Sequence, residues 1–381
     1  MKRNNNLLKS NGVQSLIASL MCIVGGILVG YLVLLIIEPS GATKAIGVII
    51  KNFFYYPTKE AQLKYLGNTL VKTVPLLMCS LSVLFAYKVG LFNIGAAGQY
   101  VVGAGASLYC ALALNMPWWV CLIVAIVAGA LLGALSGLLK AVCNVNEVIS
   151  CIMLNWISLY CVNMLLSNVK ESTSPYTMPV KNVNAGALLP SLGLGKLFTN
   201  NMYVTIAIPL AVVAAVLIWV LLEKTKLGYE LKATGINKHA AKYAGMRENR
   251  NIILTMAIAG GLAGMGAALL YLTGFEQWSC SQSNVPGMGF NGIAAAFLGG
   301  LHPIGAIFSS YFIEHITSGG AYVDKAVYSA QVSDLISALI IYLCGFVLFV
   351  KMAMSRSIAR REEKKAPKEN NETEENEGGK N

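Results

Sequence analysis

Along this chain the apolar residues come in long uncharged blocks, and polar residues gather in the gaps between them. Residues 16–37 form the first block. It exceeds the roughly 20 residues that cross a bilayer as a helix, and no small-residue cleavage site follows it. A retained first membrane helix is therefore predicted. A second span is predicted over 69–87, with Lys72 near its start positioned to snorkel to an interface. No charge lies between Lys88 and Lys140. Asn115-Met116-Pro117 divides that stretch into two spans, and Trp118 and Trp119 mark a membrane–water boundary. Further spans are predicted over 148–168, 203–222, 251–273 and 332–350, and residues 169–201, rich in Ser, Pro, Asn and Gly, read as an exposed loop. Residues 285–312 are uncharged but interrupted by Gly287, Gly289, Gly292, Gly299, Gly300 and Pro303, which predicts two short or broken membrane segments. The expected fold is an all-α polytopic membrane protein of about ten membrane segments.

Composition narrows the function. The chain is 56% hydrophobic and 12% charged, against about 25% charged in soluble domains. A soluble enzyme, a disulfide-stapled secreted domain and a nucleic-acid binder are excluded, and membrane lipid is the expected surrounding. The net charge of +11 resides in the membrane body and its loops, because seven Lys/Arg and seven Glu cancel beyond Met354. Cytoplasmic loops retain Lys and Arg. With the N-terminus inside and ten crossings, twenty Lys/Arg fall inside and eight outside, with Lys72 within a span. The expected division is a cytoplasmic N-terminus over 1–15, a membrane domain over 16–352 with a cytoplasmic loop over 223–250, and a disordered charged cytoplasmic tail over 353–381. Nine cysteines without a C-x-x-C pair read as packing residues rather than metal ligands.

Phe92-Asn93-Ile94-Gly95-Ala96-Ala97 resembles Phe290-Asn291-Gly292-Ile293-Ala294-Ala295 in the second half. In the predicted topology the two run through the membrane in opposite directions, as inverted repeats. Paired Gly-interrupted segments point to a transport pathway, since irregular backbone at membrane depth needs protein or a wet cavity beside it. Gly129, Gly133 and Gly137, and likewise Gly260 and Gly264, are four residues apart, which predicts close helix packing.

Polar residues within spans are the candidate pathway: Asn93, Gln99, Asn146, Glu147, Asn155, Ser158 and Asn291. Asn93, Gln99, Asn155 and Asn291 fit either interhelical hydrogen bonds or substrate contacts. Asn155 and Ser158 share a helix face with Cys151, a candidate cavity wall. Glu147 and Asp334 can instead cap the helices they open. There is no G-x-x-x-x-G-K-[ST] and thus no P-loop for ATP, and His239, His302 and His315 form no ligand cluster. No catalytic set is present. The basic loop has its own pattern: Asn237 can cap a short helix, Ala240, Ala241 and Ala244 form a small-residue face beside Tyr243, and Gly245 can end the helix. Such a helix suits docking on a cytoplasmic partner.

The stretches Gly90–Gln99, Asn146 to Asn155, and Gly228 to Gly245 through Gly235 together resemble permease subunits of ABC importers. They are most similar to the simple-sugar, branched-chain amino-acid and nucleoside group, and within it to the longer nucleoside-importer permease. Many members carry Glu where this chain has Ala97. The resemblance implies a nucleoside permease that is not an enzyme and binds no cofactor. ATP would be consumed by a cytoplasmic ABC ATPase docked on the 230–245 loop. A second homologous permease and an extracytoplasmic substrate-binding lipoprotein would complete the importer. Phe92, Trp156, Trp278 and Phe290 are candidate stacking residues for a base. Sugar or branched-chain amino-acid permeases, and a stand-alone ion-coupled carrier or channel, are the alternatives.

Overall fold

The computed structural model describes residues 11–324, 327–328, 335–336, 338–339, 341–343 and 345–363. The N-terminal residues Lys2, Arg3 and Lys9, the candidate cap Asp334, residues 332–334, 337, 340 and 344 of the expected span over 332–350, and the tail beyond Glu363 lie outside the described residues. Among the described residues helices predominate, with isolated β-bridges pairing Lys170 with Thr177 and Tyr176 with Ser279.

Among the described residues, six helices are long and apolar enough to cross a membrane. They are α1 (Asn11–Ile37), α3 (Lys59–Lys88), α5 (Trp118–Cys143), α6 (Glu147–Leu166), α7 (Ala207–Lys224) and α10 (Glu248–Tyr271). Between them lie α2 (Pro39–Lys51), α4 (Ala96–Leu112), α8 (Lys226–Ile236) and α9 (Lys238–Tyr243). The later helices are α11 (Met288–Leu298), α12 (Pro303–Gly320) and α13 (Val347–Glu363). Two ends of the bundle can be distinguished. The basic end carries Glu223–Arg250, and the loop end carries residues 169–201.

Several boundaries differ from expectation. The second span begins ten residues earlier, at Lys59, where the Thr58 side chain accepts from the Ala61 N–H. Residues 38–58, between the first two predicted spans, contain α2. Its carboxylate cap Glu38 and first-turn Pro39 set its start. Ala42, Ala45, Val48 and Ile49 form its buried side, and Ile49 lies against Gly319 of α12. The basic loop folds as two helices, each begun by a side-chain cap: Thr225 accepts from Gly228 N–H at 3.1 Å and Asn237 from Ala240 N–H at 3.0 Å. α13 runs to Glu363, past the expected start of the tail at 353.

The buried centre is α3, α4 and α10. The predicted glycine stripes pack on one another. A Cβ on Gly129 or Gly133 would collide with the backbone of Gly260 or Met256, so α5 and α10 touch backbone to backbone. Such an approach gains dispersion energy and lets Cα–H groups contact carbonyls. Around this seam the larger side chains fill in, and Phe85, Leu108 and Leu159 are fully buried.

Candidate functional site

α3 ends at Lys88, and the chain then leaves helical geometry until Ala96. Gly90 makes this exit, with φ +76°. The non-helical stretch has unpaired backbone groups that must be satisfied inside the protein. Asn155 on α6 meets both needs: its Oδ1 accepts the Gly98 N–H at 2.8 Å and its Nδ2 donates to the Ile94 carbonyl at 3.2 Å. Asn93 and Gln99 close a reciprocal amide pair, with Asn93 Nδ2 donating to Gln99 Oε1 at 2.8 Å and Gln99 Nε2 to Asn93 Oδ1 at 3.1 Å. Asn93 Nδ2 also donates to Ser82 Oγ of α3 at 2.9 Å. All three amides are buried. Of the two roles left open for them, the hydrogen-bonding one is the one observed. The face of α6 carrying Cys151, Asn155 and Ser158 is filled rather than open: Gly95 lies against Cys151, and Gly98 against Asn155.

The second Gly-rich segment is held differently. After α10 the chain is non-helical through residues 272–287, pairing with the 169–201 loop through the Tyr176–Ser279 bridge, and becomes helical at Met288. Gly289 lies against the backbone of Ala97, and Gly292 against Cys79 and Ser80 of α3. The N-termini of α4 and α11 therefore meet. From that meeting point α4 runs to the loop end, where Asn184 donates to the Ala111 carbonyl. α11 runs to the basic end, where Phe297 packs edge-on against Tyr87. Phe290 is 41% exposed. Asn291 is half-buried, and its side chain makes no hydrogen bond among the described residues.

Other candidates are placed plainly. Asn146 is an exposed cap accepting from the Val148 N–H at 2.9 Å, and Glu147 pairs with Lys140 at 2.8 Å. Phe92 is half-buried, and Trp156 is exposed with Tyr160 stacked beside it. Trp278, expected to be available for stacking, is 1% exposed and donates its indole N–H to Asn163 at 2.9 Å. Lys72 reaches the loop end, 3.8 Å from Glu276 and over the Phe275 ring.

The basic end carries the link that residue-by-residue reading missed. A Cβ on Gly235 would collide with the Val89 carbonyl, and one on Gly90 would overlap Gly235. The end of α8 thus rests directly on the start of the broken segment. Both glycines lie within the quoted motif stretches, which is the signal that could have found the contact. Thr234, next to Gly235, is tied to α10 by a hydrogen bond from Asn251 at 2.8 Å. On α9, Tyr243 is 94% exposed, and Ala240 and Ala244 are exposed as well. Gly245 ends this unit with φ +80°. Ala241 differs from expectation: it is 4% exposed, and its carbonyl accepts from the Met246 N–H. The exposed part of the expected small-residue face is correspondingly narrower, made of Ala240, Tyr243 and Ala244.

Comparison with known proteins places the chain in a family. The family model for the branched-chain amino acid transport system permease component matches residues 65–345. The guanosine ABC transporter permease NupP of Bacillus subtilis is 32% identical, covering 90% of this chain and 96% of its own length. The nucleoside ABC transporter permease NupB of Lactococcus lactis is 32% identical, covering 93% and 97%. The glucose ABC transporter permease TsgB13 of Haloferax volcanii is 30% identical, covering 72% and 74%. No solved structure matches. The matched region takes in both Gly-rich segments, the seam between α5 and α10 and the basic-end helices, and the chain belongs to the family of branched-chain amino acid transport system permease components.

Proposed function

We propose that the protein is the membrane permease subunit of an ABC importer for nucleosides. One observation carries the substrate class: relatives named as guanosine and nucleoside permeases align over nine-tenths of this chain and nearly all of their own length. The glucose permease relative aligns over less of both, which makes sugar import the second reading.

In this proposal the basic end is cytoplasmic, as are both termini, and a partner ATPase binds there, on Gly235, Asn237, Ala240, Tyr243, Ala244 and Gly245. ATP is used by that partner. The geometry supports a direct coupling route. A displacement of α8 and α9 moves Gly235 against Val89 and Gly90, and the broken segment carries the shift to Phe92 and the start of α4. The opposed α4 and α11 then act as inverted elements meeting at the membrane centre, with Phe290 and Asn291 free to touch a passing substrate. A path with neutral amides and aromatic rings suits a nucleoside, which is polar, uncharged and partly aromatic. A conformational change of this kind requires the ATPase to bind the two states with different affinity. A second, homologous permease supplies the other half of the path, and an extracytoplasmic binding lipoprotein delivers substrate.

The test is uptake of radiolabelled guanosine, uridine and glucose by cells with and without this chain. It is paired with affinity purification of the chain and identification of co-purifying ATPase. Loss of nucleoside uptake alone, with an ATPase bound, is expected. Unchanged nucleoside uptake with glucose uptake lost would move the substrate to sugars, and transport by the purified chain alone would overturn the ABC reading.

A further inference from the structure

We infer that the basic end contains a binding site for a phosphate-bearing ligand, built from Arg247 and Arg250. The inference is independent of which solute the permease moves. A cavity of about 430 Å³ lies between α8 and the start of α10, within the roughly 300–1,000 Å³ typical of small-molecule sites. Lys226, Tyr229, Arg247 and Arg250 line it together with Ala244 and Gly245, which the proposed ATPase contact also uses.

The charge pairing around this cavity is selective. Residues 223–250 contain three acids, Glu223, Glu230 and Glu248. Each is held by a lysine: Glu223 by Lys232 at 3.2 Å, Glu230 by Lys226 at 3.7 Å, and Glu248 by Lys242 at 3.6 Å. The one carboxylate in the cavity wall, Glu230, is therefore already neutralised. The side chains of the two arginines have no acidic partner and no hydrogen bond among the described residues. Arg247 is the N-cap residue of α10 and Arg250 lies in its first turn, and both line the cavity, so both side chains border the same space. A guanidinium offers a planar fork of N–H donors that matches phosphate oxygens, and two on one wall supply the donors for a single phosphoryl group. Tyr229, 65% exposed, adds a ring at the rim.

The same phosphate chemistry belongs to a soluble phosphate ester, such as a nucleoside monophosphate, and to an anionic lipid headgroup at the membrane boundary. The experiment separates them. The full chain is placed in nanodiscs of phosphatidylcholine alone and its thermal unfolding followed with and without guanosine monophosphate. It is then placed in discs containing phosphatidylglycerol. A ligand that binds only the folded state raises the midpoint. A rise with the nucleotide assigns the soluble source, and a rise only with phosphatidylglycerol assigns the lipid. In either case the exposed-site double variant Arg247→Gln/Arg250→Gln is expected to weaken binding about tenfold or more, while Arg247→Lys/Arg250→Lys retains part of it. Circular dichroism checks that the variants fold. No shift with either ligand, or an equal shift in the wild type and the glutamine variant, overturns the inference.

Discussion

The two Gly-interrupted segments share a short sequence pattern but are held in place by different physics. The first, from Gly90 to Gly98, is held by side-chain amides: Asn155 bonds two of its backbone groups, and Asn93 and Gln99 bond each other. The second, at Met288–Leu298, is held by shape, through Gly289 on Ala97 and Gly292 on α3. Its Asn291 has no side-chain partner among the described residues and its Phe290 is partly exposed. A Phe-Asn pair in the first copy is thus a structural fastener and in the second a free chemical surface. The lesson is that a repeated motif need not repeat its job. Where one copy spends its amides on fixing the irregular backbone, the other leaves its Phe290 partly exposed and its Asn291 without a side-chain partner among the described residues.

The most severe way to break this comparison is Gly289→Leu. A side chain there must displace the backbone of Ala97, so the chain is expected to lose its folded, monodisperse peak in size-exclusion chromatography along with all uptake. A folded, active variant would show that the two N-termini do not need to touch. The next effect separates fastener from surface. Asn155→Leu leaves the Gly98 N–H and the Ile94 carbonyl without their partner and is expected to cost about 2–3 kcal/mol in unfolding free energy. Asn93→Ala and Gln99→Ala should each destabilise, and the double variant by less than the sum, since each single change strands the other amide. Strict additivity would refute the pair. The smallest stability effect belongs to the second copy. Asn291→Ala and Phe290→Ala are expected to change stability by no more than about 0.5 kcal/mol while lowering nucleoside uptake, most visibly as a raised half-saturation concentration. Unchanged uptake would remove both residues from the path.

What could be read from the residues alone follows the strength of the apolar signal. The spans headed by long uncharged runs, such as Trp118–Cys143, and the glycine seam stood out because composition and spacing suffice for them. The first ten residues of Lys59–Lys88, with Lys59, Glu60 and Lys64 among them, did not, because polar residues at a helix end resemble a loop. Pro39–Lys51 was hidden for a related reason, as it is too short to span and carries Lys44 and Lys51. For the candidate site, residue types were legible and partners were not. Whether a buried amide holds protein or solute depends on tertiary neighbours, and Asn155 is 57 residues from the amide it binds. Ala241 was misplaced because a six-residue helix has no periodicity long enough to tell its faces apart.

The meeting of Gly90 with Gly235 has a mechanical consequence. Backbone touches backbone there, while the Gly90 N–H is committed to the Tyr87 carbonyl of its own chain segment. A joint of this kind transmits compression and gives nothing in tension, so a push from the basic end travels inward and a pull does not.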